Sequence, residues 1–300
     1  MRVSILINNY NYGQFLGAAI DSALNQTLPA SEVIVVDDGS TDGSAQVIQQ
    51  YGDQIVPVLK ANGGQASAFN EGFAASTGDV ICFLDADDTF HPEKLARLVE
   101  IFQADDSLGW CFHPLRFVDA DFQALPAASY TGPSARFDLR SRLKGGKLGH
   151  VLPFASIATS SMCFRRSLLG QLLPMPPEIR ITSDDYLKFA AMGLTPGYAL
   201  VEELSDQRIH GNNAYTHRPE KTLLRAYIAL LTAYWLQRNV PQISRFANNI
   251  FADGLNRYRA CTETRADIDQ LINDYLLARS PLDTAVIQCK SVYYALRAAL

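Results

Sequence analysis

Hydrophobic and polar positions fall in alternating blocks through the first hundred residues. Residues 3–7 form a nearly continuous apolar run, which suits a strand covered on both faces. Residues 13–24 follow with Phe15, Leu16, Ala19, Ile20, Ala23 and Leu24 at helical spacing, and Pro29 closes that unit. Residues 32–36 predict a second buried strand, which stops at Asp37-Asp38-Gly39-Ser40. Asp42 or Ser44 can cap a helix that runs to about Tyr51. Residues 54–59 predict a third strand, Asn62-Gly63-Gly64 a turn, and residues 65–75 a third helix. A fourth strand over 79–84 ends at Asp85-Ala86-Asp87-Asp88, and Pro92 stands near the first turn of a helix reaching about Phe102.

Such alternation implies a doubly wound, mostly parallel α/β sheet. Ligands bind these sheets at the carboxyl ends of their strands, and two acidic clusters fall at such ends. Beyond residue 104 the pattern is less regular. Residues 108–119 contain a strand, 120–150 read as a long Gly-, Pro-, Ser-, Arg- and Lys-rich loop, 160–165 as a strand and 184–192 as a short helix. Residues 218–300 carry helix-forming runs without strand signals. The expected division is therefore an α/β region over 1–216 and a helical C-terminal region over 217–300.

Composition narrows the class. Of 300 residues 48% are hydrophobic, enough for a large core, so global disorder is excluded. Acids outnumber bases, 31 to 26, and no nucleic-acid partner is expected, because phosphate neutralisation needs a basic footprint. The balance is uneven: residues 1–216 hold 24 acids and 15 bases, and 217–300 hold 7 acids and 11 bases. The longest apolar-rich run, 223–236, contains Arg225 and is shorter than the roughly 20 residues that cross a bilayer. The opening run meets polar Asn8 at once and reads as a strand, not a signal peptide. Cysteines at 82, 111, 163, 261 and 289 form no CxxC, so neither a disulfide framework nor a zinc site is expected, and a reducing cytoplasm fits.

Three acidic groups carry the candidate chemistry. Asp85, Asp87 and Asp88 crowd three carboxylates into four positions. Together they would repel one another or hold protons, unless a divalent cation neutralised them. Mg²⁺ or Mn²⁺ prefers such oxygen ligands and can bridge to a substrate diphosphate. The bland alternative is a solvated turn with Asp88 as a helix cap. Asp37-Asp38-Gly39-Ser40 can accept hydrogen bonds from a base or ribose, or can simply be an Asp-Gly turn. Asp184-Asp185 can supply a general base for a sugar hydroxyl, or can cap a helix and oppose its dipole.

The ordered set of motifs resembles a family 2 glycosyltransferase with the GT-A fold. The resemblance spans residues 1–213. It rests on Ser4-Ile5-Leu6-Ile7-Asn8-Asn9-Tyr10-Asn11-Tyr12, Ala23-Leu24-Asn25-Gln26-Thr27 and Val33-Ile34-Val35-Val36-Asp37-Asp38-Gly39-Ser40-Thr41-Asp42. It continues through Asn62-Gly63-Gly64-Gln65, Asn70-Glu71-Gly72 and Gly78-Asp79-Val80-Ile81-Cys82-Phe83-Leu84-Asp85-Ala86-Asp87-Asp88. It closes on Asp184-Asp185 and Arg208-Ile209-His210-Gly211-Asn212-Asn213.

The resemblance implies a Rossmann-like, mostly parallel sheet flanked by helices. It also implies inverting sugar transfer from a nucleotide-sugar donor to a glycan or lipid-linked acceptor. Asp38 would hold the base, with Asp37 beside it and Tyr10 and Asn11 lining the nucleotide pocket. Asp85 and Asp87 would be the DxD pair: Asp87 binds the metal, Asp85 contacts ribose or metal, and Asp88 and His210 assist. Asp185 matches the catalytic base, with Asp184 as its alternative.

Three departures stand out: Asn8 and Asn9 replace a common Pro-Thr, Phe69 replaces an Arg before Asn70, and Asp184 replaces a Glu. The basic stretch Arg136, Arg140, Arg142, Lys144, Lys147 allows contact with an anionic acceptor or the inner face of a membrane, and a homo-oligomer is also allowed. A sugar nucleotidyltransferase and a non-catalytic nucleotide-sugar-binding protein are the rival readings. The first lacks its expected cationic Gly-rich loop after the first strand, and the second has no use for an intact acidic set.

Overall fold

A computed structural model describes residues 1–126, 130, 132–148, 152–154, 157–211, 213 and 222–298. In chain order its elements are β1 (Val3–Asn9), α1 (Gly13–Leu24), β2 (Glu32–Asp37), α2 (Ser44–Gln50), β3 (Val56–Leu59), α3 (Gln65–Ala75), β4 (Val80–Asp85) and β5 (Thr89–Phe90). Then come α4 (Lys94–Ala104), β6 (Trp110–Phe112), β7 (Arg116–Val118), β8 (Ala135–Phe137), α5 (Arg140–Lys144), β9 (Met162–Arg165), α6 (Arg166–Leu172), α7 (Ser183–Leu194), β10 (Gly197–Ala199) and β11 (Ser205–Arg208). Helices α8 (Thr222–Asn239), α9 (Ser244–Arg259), α10 (Ala266–Leu277) and α11 (Pro281–Ala298) complete the chain.

The chain divides into two compact units, one of residues 1–138 and 150–212, the other of 139–149 and 213–300. The boundary expected near 217 falls outside the described residues. The first unit is built on an eight-stranded sheet in the order β3-β2-β1-β4-β9-β6-β10-β8. The four strands read from the opening pattern pair in parallel, and β1 lies between β2 and β4. The apolar runs of β1, β2 and β4 are buried on both faces because helices cover both sides, whereas β3 at the sheet edge leaves Val56 and Leu59 exposed. On one face Leu16, Ala19, Ile20 and Ala23 of α1 pack with Ile5, Ile7, Val33 and Val35. Elsewhere in the sheet core an aromatic row runs from Phe69 through Phe83, Phe164 and Phe112 to Trp110, with successive ring centroids 4.5, 5.9, 5.4 and 4.6 Å apart. Phe69, where a cation was expected by resemblance, is therefore core. Asn70 beside it exchanges two hydrogen bonds with the backbone of Met175.

Strand β9 enters antiparallel between β4 and β6, so the sheet is mostly rather than wholly parallel. A second sheet, β5-β11-β7, brings the segment that ends in Arg208 back beside the turn after β4. The long loop expected over 120–150 contains β8 and the short helix α5 among its described residues. The second unit packs α8, α9, α10 and α11 around Leu230, Phe251, Leu255, Ile268, Tyr275 and Ile287, with the Phe251 and Tyr275 rings stacked at 3.8 Å. Among the described residues no helix is long and apolar enough to cross a membrane.

Candidate active site

Register explains how the site is assembled. In β1, Asn8 stands opposite Asp85 of β4, and Asn9 opposite Asp37 of β2. Successive strand residues point to opposite faces, so each asparagine serves a different neighbour. Asn8 Nδ2 donates to Asp85 Oδ1 at 2.8 Å, and Asn9 Nδ2 donates to Asp37 Oδ1 at 2.7 Å. The two residues that depart from the family's Pro-Thr thus tether one acidic strand end each. With strands about 4.8 Å apart, the two ends lie roughly 10 Å from one another.

The β4 end holds Asp85, Asp87 and Asp88, whose ligand oxygens lie within 4.8 Å of one another. Burial, followed by the Asp87 charge, pushes the Asp85 carboxyl up to about 7. The same two causes, with Asp85 added, push Asp88 well above the usual carboxylate range. Asp88 uses both oxygens internally: Oδ2 accepts from Ser160 Oγ at 2.6 Å, and Oδ1 accepts the Arg208 N–H at 3.0 Å. Ser160 Oγ also accepts the Asp85 N–H at 3.0 Å, so one hydroxyl spans the cluster. Beneath it Lys94 is fully buried, donating to the Ser160 carbonyl at 2.8 Å and Ser205 Oγ at 3.0 Å. Burial pulls its ammonium below its ordinary range. His210 Nε2 stands 3.1 Å from Asp87 Oδ2, and its ring lies against Phe15 at 4.5 Å and Tyr12 at 5.6 Å. Ser160 and Lys94 were not singled out by sequence. A serine 72 residues from Asp88 leaves no local signal, whereas a lysine in the first turn of α4, opposed to the helix dipole, was a readable anomaly.

The β2 end is neutralised by its own chain. Asp38 is buried, and its carboxylate accepts from Lys60 Nζ at 2.6 Å, Asn62 Nδ2 at 3.1 Å, the Gly63 N–H at 2.9 Å and the Gly64 N–H at 2.7 Å. Those four bonds fill the acceptor capacity of a carboxylate. Asp37 Oδ1 accepts from Asn9 and from Ser40 Oγ at 2.5 Å. Among the described residues Asp37 Oδ2 accepts only the Ser40 N–H, at 3.2 Å. Gly64 holds φ +86°, and a Cβ there would come within 2.7 Å of the Arg180 backbone, so this turn requires glycine.

The same turn connects both ends to α7. The Gln65 N–H donates to the Arg180 carbonyl at 2.8 Å, Gln65 Oε1 accepts the Ser183 N–H at 2.9 Å, and Gln65 Nε2 donates to Thr159 Oγ1 at 3.3 Å. Thr182 then takes φ +50°, a left-handed conformation that costs a β-branched residue about 1–3 kcal/mol. It sets the first turn of α7, where Asp184 and Asp185 differ. Burial first, and the Asp185 charge second, push Asp184 up to about 6. The Asp184 charge in turn helps raise Asp85, which places Asp184 within electrostatic reach of the β4 cluster. Asp185 Oδ1 instead pairs with Lys188 Nζ at 2.6 Å.

Tyr10 is 48% exposed at the rim. Asn11 holds φ +58°; its N–H donates to Ser40 Oγ and its Oδ1 accepts the Thr41 N–H, both at 2.8 Å. The structure thus gathers Asp85, Asp87, Asp88 and His210 at one strand end, with Asp184 within reach of their charge. Asp37 and Asp38 stand at the next but one, joined to Asn11 through Ser40 and Thr41, with Tyr10 next to Asn11 in the chain. The basic stretch is split. Arg136 pairs with Asp105 at 3.1 Å in the first unit, while Arg140, Arg142, Lys144 and Lys147 belong to the second. Asn212, the penultimate residue of the last motif, lies outside the described residues.

Comparison with known proteins agrees with this architecture. An uncharacterized glycosyltransferase of Nostoc sp. is 41% identical over 218 residues, covering 71% of this chain and 66% of that protein. TuaG of Bacillus subtilis, provisionally named as a teichuronic acid biosynthesis glycosyltransferase, is 28% identical over 222 residues, covering 72% of this chain and 82% of that one. The chain spans just under two-thirds of the Nostoc relative's length and about a third of two Rickettsia relatives. Among solved structures, residues 1–349 of S. aureus TarS in complex with UDP superpose with a TM-score of 0.64 at 17% identity, covering 97% of this chain and 88% of that one. The shared fold is GT-A. Residues 4–167 match the description of glycosyl transferase family 2, and the chain therefore belongs to that family.

Proposed function

We propose that the chain transfers a sugar from a nucleoside-diphosphate donor to an acceptor hydroxyl, with inversion and with the help of Mg²⁺ or Mn²⁺. The observation that carries this reading is the β4 cluster: three carboxylates with ligand oxygens within 4.8 Å, with burial and mutual repulsion raising Asp85 and Asp88 above the usual carboxylate range. Such a donor set fits a hard divalent cation. Asp87 and His210 would hold it with Asp85, while Asp88, both oxygens already engaged, braces the turn. When bound, the cation would neutralise charge developing on the departing diphosphate.

The remaining work belongs to the chain itself. The exposed Tyr10 ring offers a stacking face for the nucleotide base. The β2 end would receive the base edge, with Asp37 Oδ2 keeping acceptor capacity and Asp38 able to exchange Lys60 for a base N–H. UDP-sugars are the first donors to test, since the TarS structure holds UDP. The α7 pair would remove the acceptor proton. Family resemblance assigns that role to Asp185. Two observations favour Asp184 instead: its carboxyl is pushed up to about 6, which suits a general base, and Asp185 is engaged by Lys188. Asp184→Asn is expected to lose about 10²–10⁴ in kcat with donor binding kept, while Asp185→Asn loses less; the reverse order returns the role to Asp185.

Cell-surface polysaccharide or glycolipid synthesis is the setting that fits TuaG's name, with a glycan or lipid-linked acceptor. The five free cysteines fit a cytoplasmic location, at or near the inner membrane face. The direct experiment incubates the protein with a panel of nucleotide-sugars, with Mn²⁺ or with EDTA. Release of a nucleoside diphosphate that requires the cation supports the reading. Pyrophosphate release from a sugar 1-phosphate and a nucleoside triphosphate would instead make it a nucleotidyltransferase. Donor binding without turnover would make it a binding protein.

A further inference from the structure

In the second unit every exposed large apolar side chain among the described residues lies between 277 and 296. Five of these six lie on α11. Its inward side is narrow: Ile287 and Ser291 are its only buried residues among those described, and Tyr294 packs against the same core. The opposite side carries Leu282, Val286, Cys289, Tyr293 and Leu296, spaced four, three, four and three residues apart. Leu282 is 74%, Val286 43%, Tyr293 56% and Leu296 64% exposed, and Cys289 is exposed with them. At 100° per residue these five fall within about 80° of helix circumference, on the side away from Ile287 and Ser291. A stripe that narrow with 4-3 spacing is the seam one helix presents to another. A core-facing or membrane-lying face is broader, and the latter is bordered by several cations.

We propose that α11 is a dimer interface, pairing antiparallel with α11 of a second copy of this chain. Charge placement selects both the partner and the direction. Asp283, Lys290 and Arg297 recur every seven residues along one edge of the stripe, whereas the other edge carries Ala285 and Val292. A two-fold axis across antiparallel helices brings like edges together. It sets Asp283 against the partner's Arg297 at both ends of the seam and lets the helix dipoles oppose. A parallel pair would face these charges with the apolar edge and gain nothing from them. Lys290, the middle charge, donates to Asn249 of α9 and is thereby drawn off the axis. Cys289 lies at the centre of the five-residue seam, next to the axis.

The test is sedimentation of the full chain at about 10–100 μM, the range in which a weak dimer populates. A dimer is expected. Val286→Glu/Tyr293→Glu should give a monomer with unchanged circular dichroism and melting, since both positions are exposed. Arg297→Asp should weaken the dimer at least about tenfold, and adding Asp283→Lys should restore it. A short bis-maleimide should link two chains through Cys289, and Cys289→Ser should abolish the link. A monomer at the highest concentration overturns the proposal, as does a dimer that survives the double Glu variant. Failure of the charge swap overturns the antiparallel pairing, and lipid binding by a monomeric chain would give this face to a membrane instead.

Discussion

The carboxyl ends of β2 and β4 look alike in sequence, each a buried strand running into clustered aspartates, yet the structure finishes them in opposite ways. At the β2 end Asp38 receives an ammonium, a side-chain amide and two backbone N–H groups. At the β4 end three carboxylates share a small volume, and burial and mutual repulsion push Asp85 and Asp88 above the usual carboxylate range. The first end is electrostatically complete and stabilises the turn it grips. The second keeps its carboxylates crowded even though Asp88 is held by Ser160 and the Arg208 N–H, and that repulsion costs stability. Acidic residues at a strand end therefore do not by themselves mark a cation site; the two ends differ in how closely their carboxylates crowd one another.

The largest expected effect breaks the β4 side of this contrast. Asp87→Asn removes one carboxylate from the crowded cluster and the group facing His210. Turnover should fall by about 10³-fold or more, the scale of losing a preorganised electrostatic partner of the transition state. Melting in EDTA should stay the same or rise, because a repulsion is removed. Near-normal turnover would remove Asp87 from the machinery. A large loss of melting temperature would mean that the β4 end is as structurally complete as the β2 end.

The mirror experiment is Asp38→Ala. It strands Lys60 and the N–H groups of Gly63 and Gly64, so the expected cost is about 2–4 kcal/mol of stability, read by urea unfolding. The turn at 62–65 also holds α7 through Arg180 and Ser183, so activity should fall as well, but as a consequence of loosening. Should Asp38→Ala leave stability intact while abolishing donor binding, the β2 end is a binding group first and a structural one second.

Much of the fold was legible because its strands announce themselves. The runs at 3–7, 33–36 and 80–84 are apolar on both faces, and α1 and α3 begin and end where their spacing and turns say. What escaped was made of short or long-range pieces. The stretch 108–119, read as holding a strand, holds two, β6 and β7; β8 has only three residues, too few for a period, and α5 hides in a stretch whose Gly and basic residues read as loop. In the site the aspartates were visible as residue types. Their difference was not, since two of Asp38's four donors are backbone N–H groups and Asp88 is held by a serine 72 positions away. Asn8 and Asn9 looked like departures from a family pattern until the β1 register showed each donating to an acidic strand end.

The smallest expected effect extends the contrast to α7. Asp184 holds its proton up to about 6, against an ordinary 3.8, so the folded state binds more protons than the unfolded state between those values. Stability then falls as pH rises through that window, and the full cost stands above about pH 6. Asp184→Asn removes the cost. Its melting temperature should exceed the wild type's by more at pH 7.5 than at pH 5, with a difference between the two of roughly 1–3 °C for a half-buried group in a chain of this size. Asp185→Asn deletes an ion pair with Lys188 and should show no such gain. A pH-independent effect at Asp184 would detach it from the crowded carboxylates and leave the crowding confined to the end of β4.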